Sequence, residues 1–226
     1  MTLWGVVSSR VLRVHWALIE LGLPYNHIPV QSRSGETETD SYGRLNPRRK
    51  IPTFQDGDLI MSESGAIVTY LAENYGTPER SIIPAGGHAR AKYHEWMSFI
   101  GMELDATSLY VLRRHEGLPQ IYGEAPVASK VCREYFDRLI NASAQDIDDG
   151  RRYLLGDQFT GADICMTTIV NWAERYECPL PQVWLDYRDR IRERPSYDAA
   201  HAANELPPGV ETVSYTHLTL PTRCLG

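Results

Sequence analysis

The chain opens with a short apolar run, Leu3 to Val7, that ends at Ser8 and Ser9. Apolar residues then return at Val11, Leu12, Val14, Trp16, Leu18, Ile19 and Leu21, at helical intervals, and stop at Gly22. The pattern predicts a strand followed by a helix that a glycine terminates. Arg10, Arg13 and Glu20 fall with Ala17 on one narrow stripe, at steps of three and four. Most of the helix circumference is therefore predicted to be covered by protein, and the helix to be sandwiched rather than peripheral.

Leu23-Pro24 restarts the chain, and Tyr25 to Val30 reads as a second strand, parallel to the first through a right-handed crossover. Polar residues 31 to 41 read as a loop, and Asp40 to Leu45 as a short helix that Asn46-Pro47 breaks. Ile51 to Phe54 and Asp58 to Met61, joined by Gln55-Asp56-Gly57, predict a hairpin. A helix from Glu63 to about Tyr75 follows, and then the glycine- and proline-rich GTPERSIIPAGG reads as a linker. Beyond it the strand signals vanish. Ala89 to His115, Pro126 to Asp148, Gly161 to about Tyr176 and Pro181 to Glu193 all read as helices. Phe159-Thr160-Gly161-Ala162-Asp163-Ile164 carries a capping box, with Phe159 placed to staple onto Ile164. The division expected is an α/β domain over residues 1–76, a linker over 77–87 and an all-α domain over 88–212.

Composition narrows the class. With 42% hydrophobic and 23% charged residues the chain sits in the globular range. A net charge of -6 argues against nucleic acid as an obligatory partner, because phosphate neutralisation needs a basic surface. No run of eighteen apolar residues and no signal-peptide pattern is present, so no membrane association and a cytoplasmic location are expected. Cys132, Cys165, Cys178 and Cys224 follow no CxxC or zinc-type spacing, and the histidines show no metal-ligand pair, so reduced thiols and no metal are expected. Val213 to Thr222 read VSYTHLTLPT, which looks like the translation of a transposon-type sequencing-library adaptor; residues 213–226 are expected to be non-native, Cys224 with them.

Three segments carry a resemblance: LWGVVSSRVLRVHWALIELGLPY, then NPRRKIPTFQDGDLIMSESGAIVTYLAENYG, then the FTGADI helix start. In this order and spacing the chain resembles the glutathione transferase family, and within it the bacterial, serine-type members similar to the theta, delta and zeta classes. The resemblance implies a thioredoxin-like N-terminal domain followed by an all-helical domain, with glutathione as co-substrate. It places Ser8 at the position whose hydroxyl holds the glutathione sulfur as thiolate, with Ser9 one step later. It implies a cis proline at Pro52, pairing of the Ile51 backbone with the cysteinyl part of glutathione, and Arg49 or Lys50 at the glycyl carboxylate. Glu63 and Ser64, opening a helix, fall where the family receives the γ-glutamyl end. Met102, Leu109, Tyr110 and Arg113 lie on the helix that lines the pocket for a small hydrophobic electrophile, and Asp105 on the same helix is placed to reach the glutathione of a partner subunit. A homodimer is implied as well.

Each assignment has a plainer counterpart. Ser8 and Ser9 suit ordinary N-caps, the basic run suits a solvated strand edge, Glu63 suits a helix dipole, and an aliphatic and aromatic stripe suits a core. Trp96 and Trp172 are read as packing residues. Thiol–disulfide exchange is disfavoured, since it needs a cysteine where this chain has Ser8. The alternative to an enzyme is a noncatalytic module of the same fold that binds a protein partner or sequesters apolar ligands.

Overall fold

The computed structural model describes residues 1–210; the adaptor-like tail and Cys224 lie outside the described residues. The first unit is built on a four-stranded sheet of order β2-β1-β3-β4. Strand β1 (Thr2–Trp4) pairs in parallel with β2 (Asn26–Ile28) and antiparallel with β3 (Thr53–Asp56), which forms a hairpin with β4 (Leu59–Ser62). Leu3 sits opposite both His27 and Phe54, and the Leu3 and Phe54 side chains are fully buried.

Helix α1 (Ser9–Leu21) has both of the ends that its sequence signals. Ser8 is the N-cap and its side chain accepts from the Arg10 N–H. Gly22 ends the helix at φ 69°, where its N–H donates to Ile19 O and the following Leu23 N–H to Leu18 O. That positive φ is what favours glycine here; the exposed Arg80 side chain, whose Nη1 would lie 1.7 Å from an added Cβ, is free to move aside.

The predicted burial of α1 is met, and its polar stripe has a destination. The helix touches α3 (Ser64–Tyr75), α8 (Gly161–Arg175) and α10 (Pro195–Ala203). Arg10 and Arg13 meet Asp105, and Glu20 accepts from Arg194 and Ser196. Trp16 adds a hydrogen bond from Nε1 to Ser196 Oγ at 3.0 Å. The stripe thus faces the helical region, where charged pairs fix how the two units meet.

Short helix α2 (Asp40–Leu45) is where its pattern put it, capped by the Thr39 side chain. A 3-10 turn at Glu36–Glu38 interrupts the segment read as loop. The long helix expected over 89–115 is three consecutive pieces: α4 (Gly87–Phe99), a π-helical segment Ile100–Leu109 and α5 (Tyr110–His115). The Thr107 and Ser108 hydroxyls donate to the carbonyls of Met102 and Glu103, each five residues back, in the manner of the π spacing. After α6 (Pro119–Tyr122), helices α7 (Pro126–Ala144), α8 and α9 (Gln182–Arg192) follow near the expected places. The capping box forms at the start of α8: Asp163 accepts from the Thr160 N–H at 2.7 Å and from its hydroxyl at 2.8 Å. It also accepts from Leu154 N–H and the Tyr187 hydroxyl, so this one carboxylate ties three segments together. Among the described residues no helix is long and apolar enough to cross a membrane.

Candidate active site

A cleft runs between the sheet unit and the helices, and it has two halves. One half, about 400 Å³, is lined by Ile51, Pro52, Glu63 and Ser64 on the sheet side and by Met102, Asp105 and Tyr110 on the other. The second half, about 310 Å³, is lined by Ser8, Ser9, Arg49, Lys50, Tyr110 and Arg113 among others. Arg10, Arg48, Lys50, Ile51 and Tyr110 border both halves.

The Ile51–Pro52 bond is cis. Next to it, Arg49 adopts φ 52° and its Nη1 donates to the carbonyls of Thr37 and Thr39, each at 3.1 Å. That guanidinium is therefore committed to the loop before α2. Lys50 is exposed and borders both halves of the cleft, with no ion pair to any described residue. Of the two basic residues offered for the glycyl carboxylate, Lys50 is the one left available.

Glu63 precedes α3 at φ 72° and is exposed, whereas Ser64 is buried. The Ser64 Oγ accepts from Arg13 Nη1 at 3.4 Å. Arg13 is 3% exposed and reaches from α1 to Thr168 Oγ1 at 2.7 Å and to Asp105 Oδ2 at 2.9 Å. Arg10 binds the other oxygen, Asp105 Oδ1, at 2.5 Å. Burial would push the Asp105 carboxyl up, but Arg13 and Arg10 outweigh it and hold it below the usual carboxylate value. The expected reach of Asp105 to a partner subunit is corrected here: the group is 2% exposed and both its oxygens are taken by guanidinium groups of its own chain.

The π-helical segment explains a second correction. A regular helix would put Met102, Leu109 and Arg113 on one face, but i→i+5 bonding brings residues five apart together. Ile100, Asp105 and Tyr110 accordingly share the cleft side, and Leu109 turns into the core with 0% exposure. Met102 stays at the rim, 65% exposed, while Tyr110 and Arg113 reach the cleft as expected. Trp172 is buried on α8 as a packing residue and also borders the second half.

Ser8 and Ser9 are half-buried at the mouth of α1. The Ser8 Oγ accepts from Arg10 N–H at 3.3 Å, so the cap is real and the hydroxyl proton remains free to be donated elsewhere. The turn that carries Ser8 is held from the far end of the chain. Val7, at φ 51°, donates its N–H to Asn204 O at 2.9 Å; Ser8 N–H donates to Asn204 Oδ1 at 3.4 Å, and Asn204 Nδ2 to Ser8 O at 3.3 Å. The reach of Asn204 to Ser8 has no sequence signal; α10 does, in Pro195 at its first turn and the alanines that follow, but its nine residues carry little apolar periodicity.

The two domain models of the glutathione S-transferase family, N-terminal and C-terminal, match residues 1–73 and 105–195. The chain belongs to the glutathione transferase family. It is 29% identical to glutathione S-transferase 3 of Zea mays, over 91% of this chain and 95% of the relative. It is 27% identical to the maleylacetoacetate isomerase of Dictyostelium discoideum, over 80% of this chain and 82% of the relative. Among solved structures, the glutathione-bound theta class glutathione S-transferase of Xanthomonas axonopodis pv. citri superposes with a TM-score of 0.74 at 26% identity, over 88% of this chain and 95% of that one. As a glutathione transferase the chain departs from expectation in a further respect. The half of the cleft beside Ser8, foreseen as an apolar pocket, is walled by tyrosines and guanidinium groups, because Arg33 in the loop after β2, Arg113 and Arg114 on α5, and Arg175 at the end of α8 all converge there. Among the described residues no cluster of side chains suited to hold a metal occurs.

Proposed function

We propose that this glutathione transferase binds glutathione in the half of the cleft beside Pro52 and Ser64, with its sulfur at Ser8, and ionises the thiol for attack on a small electrophile. The observation that carries the reading is the convergence of Ser8, Ile51, Pro52, Glu63 and Ser64 on one continuous cleft. The Ser8 hydroxyl donates to the thiolate while its oxygen accepts the Arg10 N–H. Lowering a thiol pKa by about two units requires roughly 2.7 kcal/mol. A hydrogen bond to a charged acceptor supplies about 1.5 to 3 kcal/mol, and the helix N-terminus about 0.3 to 1 more. No cationic general base is then needed, and the thiolate is the nucleophile.

The rest of the tripeptide follows from the groups available. The Ile51 backbone pairs with the cysteinyl unit, and Lys50 neutralises the glycyl carboxylate. The Ser64 hydroxyl and the N–H groups opening α3 receive the γ-glutamyl carboxylate, and Glu63 its ammonium. Conjugation, isomerisation, dehalogenation, ether cleavage and peroxide reduction all begin from the same thiolate. A cytoplasmic homodimer, with residues 1–76 as the glutathione domain and 88–212 as the substrate domain, completes the proposal.

Calorimetry with glutathione, followed by turnover of a broad panel of neutral and anionic electrophiles, tests the reading. Binding with turnover is the expected result. Binding without turnover of any electrophile in a broad panel would leave a noncatalytic glutathione-binding module, and no binding would remove the proposal altogether.

A further inference from the structure

We propose that the second substrate is an anion, an electrophile carrying a carboxylate or comparable oxyanion that sits between Arg33, Arg113, Arg114 and Arg175. The inference rests on the glutathione-binding assignment above, because it concerns the other half of the same cleft.

The chain as a whole is acidic, at -6. The wall of this half nevertheless carries eight arginines and lysines and a single acid, Glu38. Glu38 is 68% exposed and stands 3.9 Å from Arg49, so it neutralises none of the others. Three of the eight are accounted for internally: Arg10 by Asp105, Arg49 by the Thr37 and Thr39 carbonyls, and Arg48, exposed at the border of the two halves, by a hydrogen bond to Ser62 Oγ on the sheet side at 3.2 Å. Glutathione accounts for Lys50. The four arginines named in the proposal remain.

None of the four has an acidic partner among the described residues. Among the described residues Arg33 donates to neutral hydroxyls, Tyr122 at 3.1 Å and Ser32 at 3.3 Å. Arg114 lies over the Tyr110 ring at 5.1 Å and the Tyr122 ring at 4.9 Å, and its Nε is buried without a hydrogen-bond partner. Arg113 is half-buried; burial, and then the nearby Arg33, pull its guanidinium below the ordinary value. Burial would raise the Tyr110 phenol, yet Arg10, Arg33, Arg114 and Lys50 together hold it below its ordinary value, which registers the positive field inside the cleft.

An isolated exposed arginine needs no explanation, since surface charges commonly do nothing specific. This set differs because its members come from three separate segments and face one concavity, where like charges repel one another. An uncharged aryl halide would worsen that by displacing water from donors it cannot replace. A carboxylate reverses it. Tyr110 and Tyr122 flank the Arg114 guanidinium and Tyr122 that of Arg33, and a planar fork presents paired N–H donors suited to two oxygens.

Two S-substituted glutathiones test the proposal on the full chain by calorimetry: S-(4-carboxybenzyl)glutathione and S-(4-nitrobenzyl)glutathione, which share the tripeptide and differ in the charge at the tip. The carboxylate conjugate is expected to bind at least about tenfold tighter, with a preference that shrinks as salt rises. That preference should disappear in the Arg113→Gln/Arg175→Gln double variant, while affinity for glutathione itself is retained. Equal or tighter binding of the nitro conjugate, or binding of glutathione but of neither conjugate, overturns the proposal. So does a preference that survives in the double variant. Absence of glutathione binding in the wild type would instead strike the assignment on which the inference rests.

Discussion

The two halves of the cleft treat charge in opposite ways. Beside Pro52, Arg10 and Arg13 are matched by Asp105, with Thr168 and Ser64 taking further bonds from Arg13. Beside Ser8, Arg33, Arg113, Arg114 and Arg175 are matched by no carboxylate among the described residues. Matched, buried charge joins α1 to the helical region and is architecture. Unmatched, partly accessible charge in a concavity is left for a ligand.

The comparison breaks first at Asp105. Removing one member of a buried ion pair leaves the others uncompensated, so Asp105→Ala should cost about 3 to 5 kcal/mol of stability, seen as a lower midpoint in urea unfolding. A midpoint within error of the wild type would show that the triad holds nothing. The same pair has a sign in pH. The Asp105 carboxyl sits below its ordinary value in the fold, so the stabilisation is fully present above about pH 3.9, the unfolded value, and is lost as pH falls through the folded one. Acid unfolding followed by circular dichroism should show the advantage of the wild type over Asp105→Asn narrowing only below that point; narrowing near neutrality would contradict the pairing.

A middle-sized effect is expected at Lys50. Lys50→Ala should weaken glutathione by about tenfold, through loss of a charge-assisted bond at an exposed position. Arg49→Ala should instead act mainly on the loop that it anchors, lowering the midpoint by about 1 kcal/mol. If calorimetry ranks the two in the reverse order for glutathione, the roles are exchanged. The smallest effect belongs to the unmatched half. Arg113→Gln should leave stability unchanged within about 0.5 kcal/mol or raise it, since it removes a repelled charge rather than a pair. A loss comparable to that of Asp105→Ala would erase the distinction between the halves.

What the sequence made legible were features written in local signals. Ser8 and Gly22 mark both ends of α1, the Asp56-Gly57 turn marks the β3–β4 hairpin, and Thr160 with Asp163 mark the start of α8. The half of the cleft beside Pro52 was legible for the same reason, because Ile51, Pro52, Glu63 and Ser64 lie at the ends of those elements. The rest depends on longer-range geometry. The π-helical segment moves Leu109 inward and Asp105 toward the cleft, a shift that a 3.6-residue reading does not foresee. Arg33, Arg114 and Arg175 come together only through the topology, and the hold of Asn204 on the Ser8 turn spans 196 residues. The polar stripe of α1 was visible, but that its charges bridge two units became clear only from their partners.

The central claim is that the α1 entrance keeps the sulfur of glutathione ionised through Ser8. Titrating the thiolate absorbance of bound glutathione against pH, in the wild type and in Ser8→Ala, measures this directly. The account predicts a bound thiol about two units more acidic than free glutathione, with most of that shift lost in a folded Ser8→Ala that still binds the tripeptide. The same bound pKa in both proteins would contradict it.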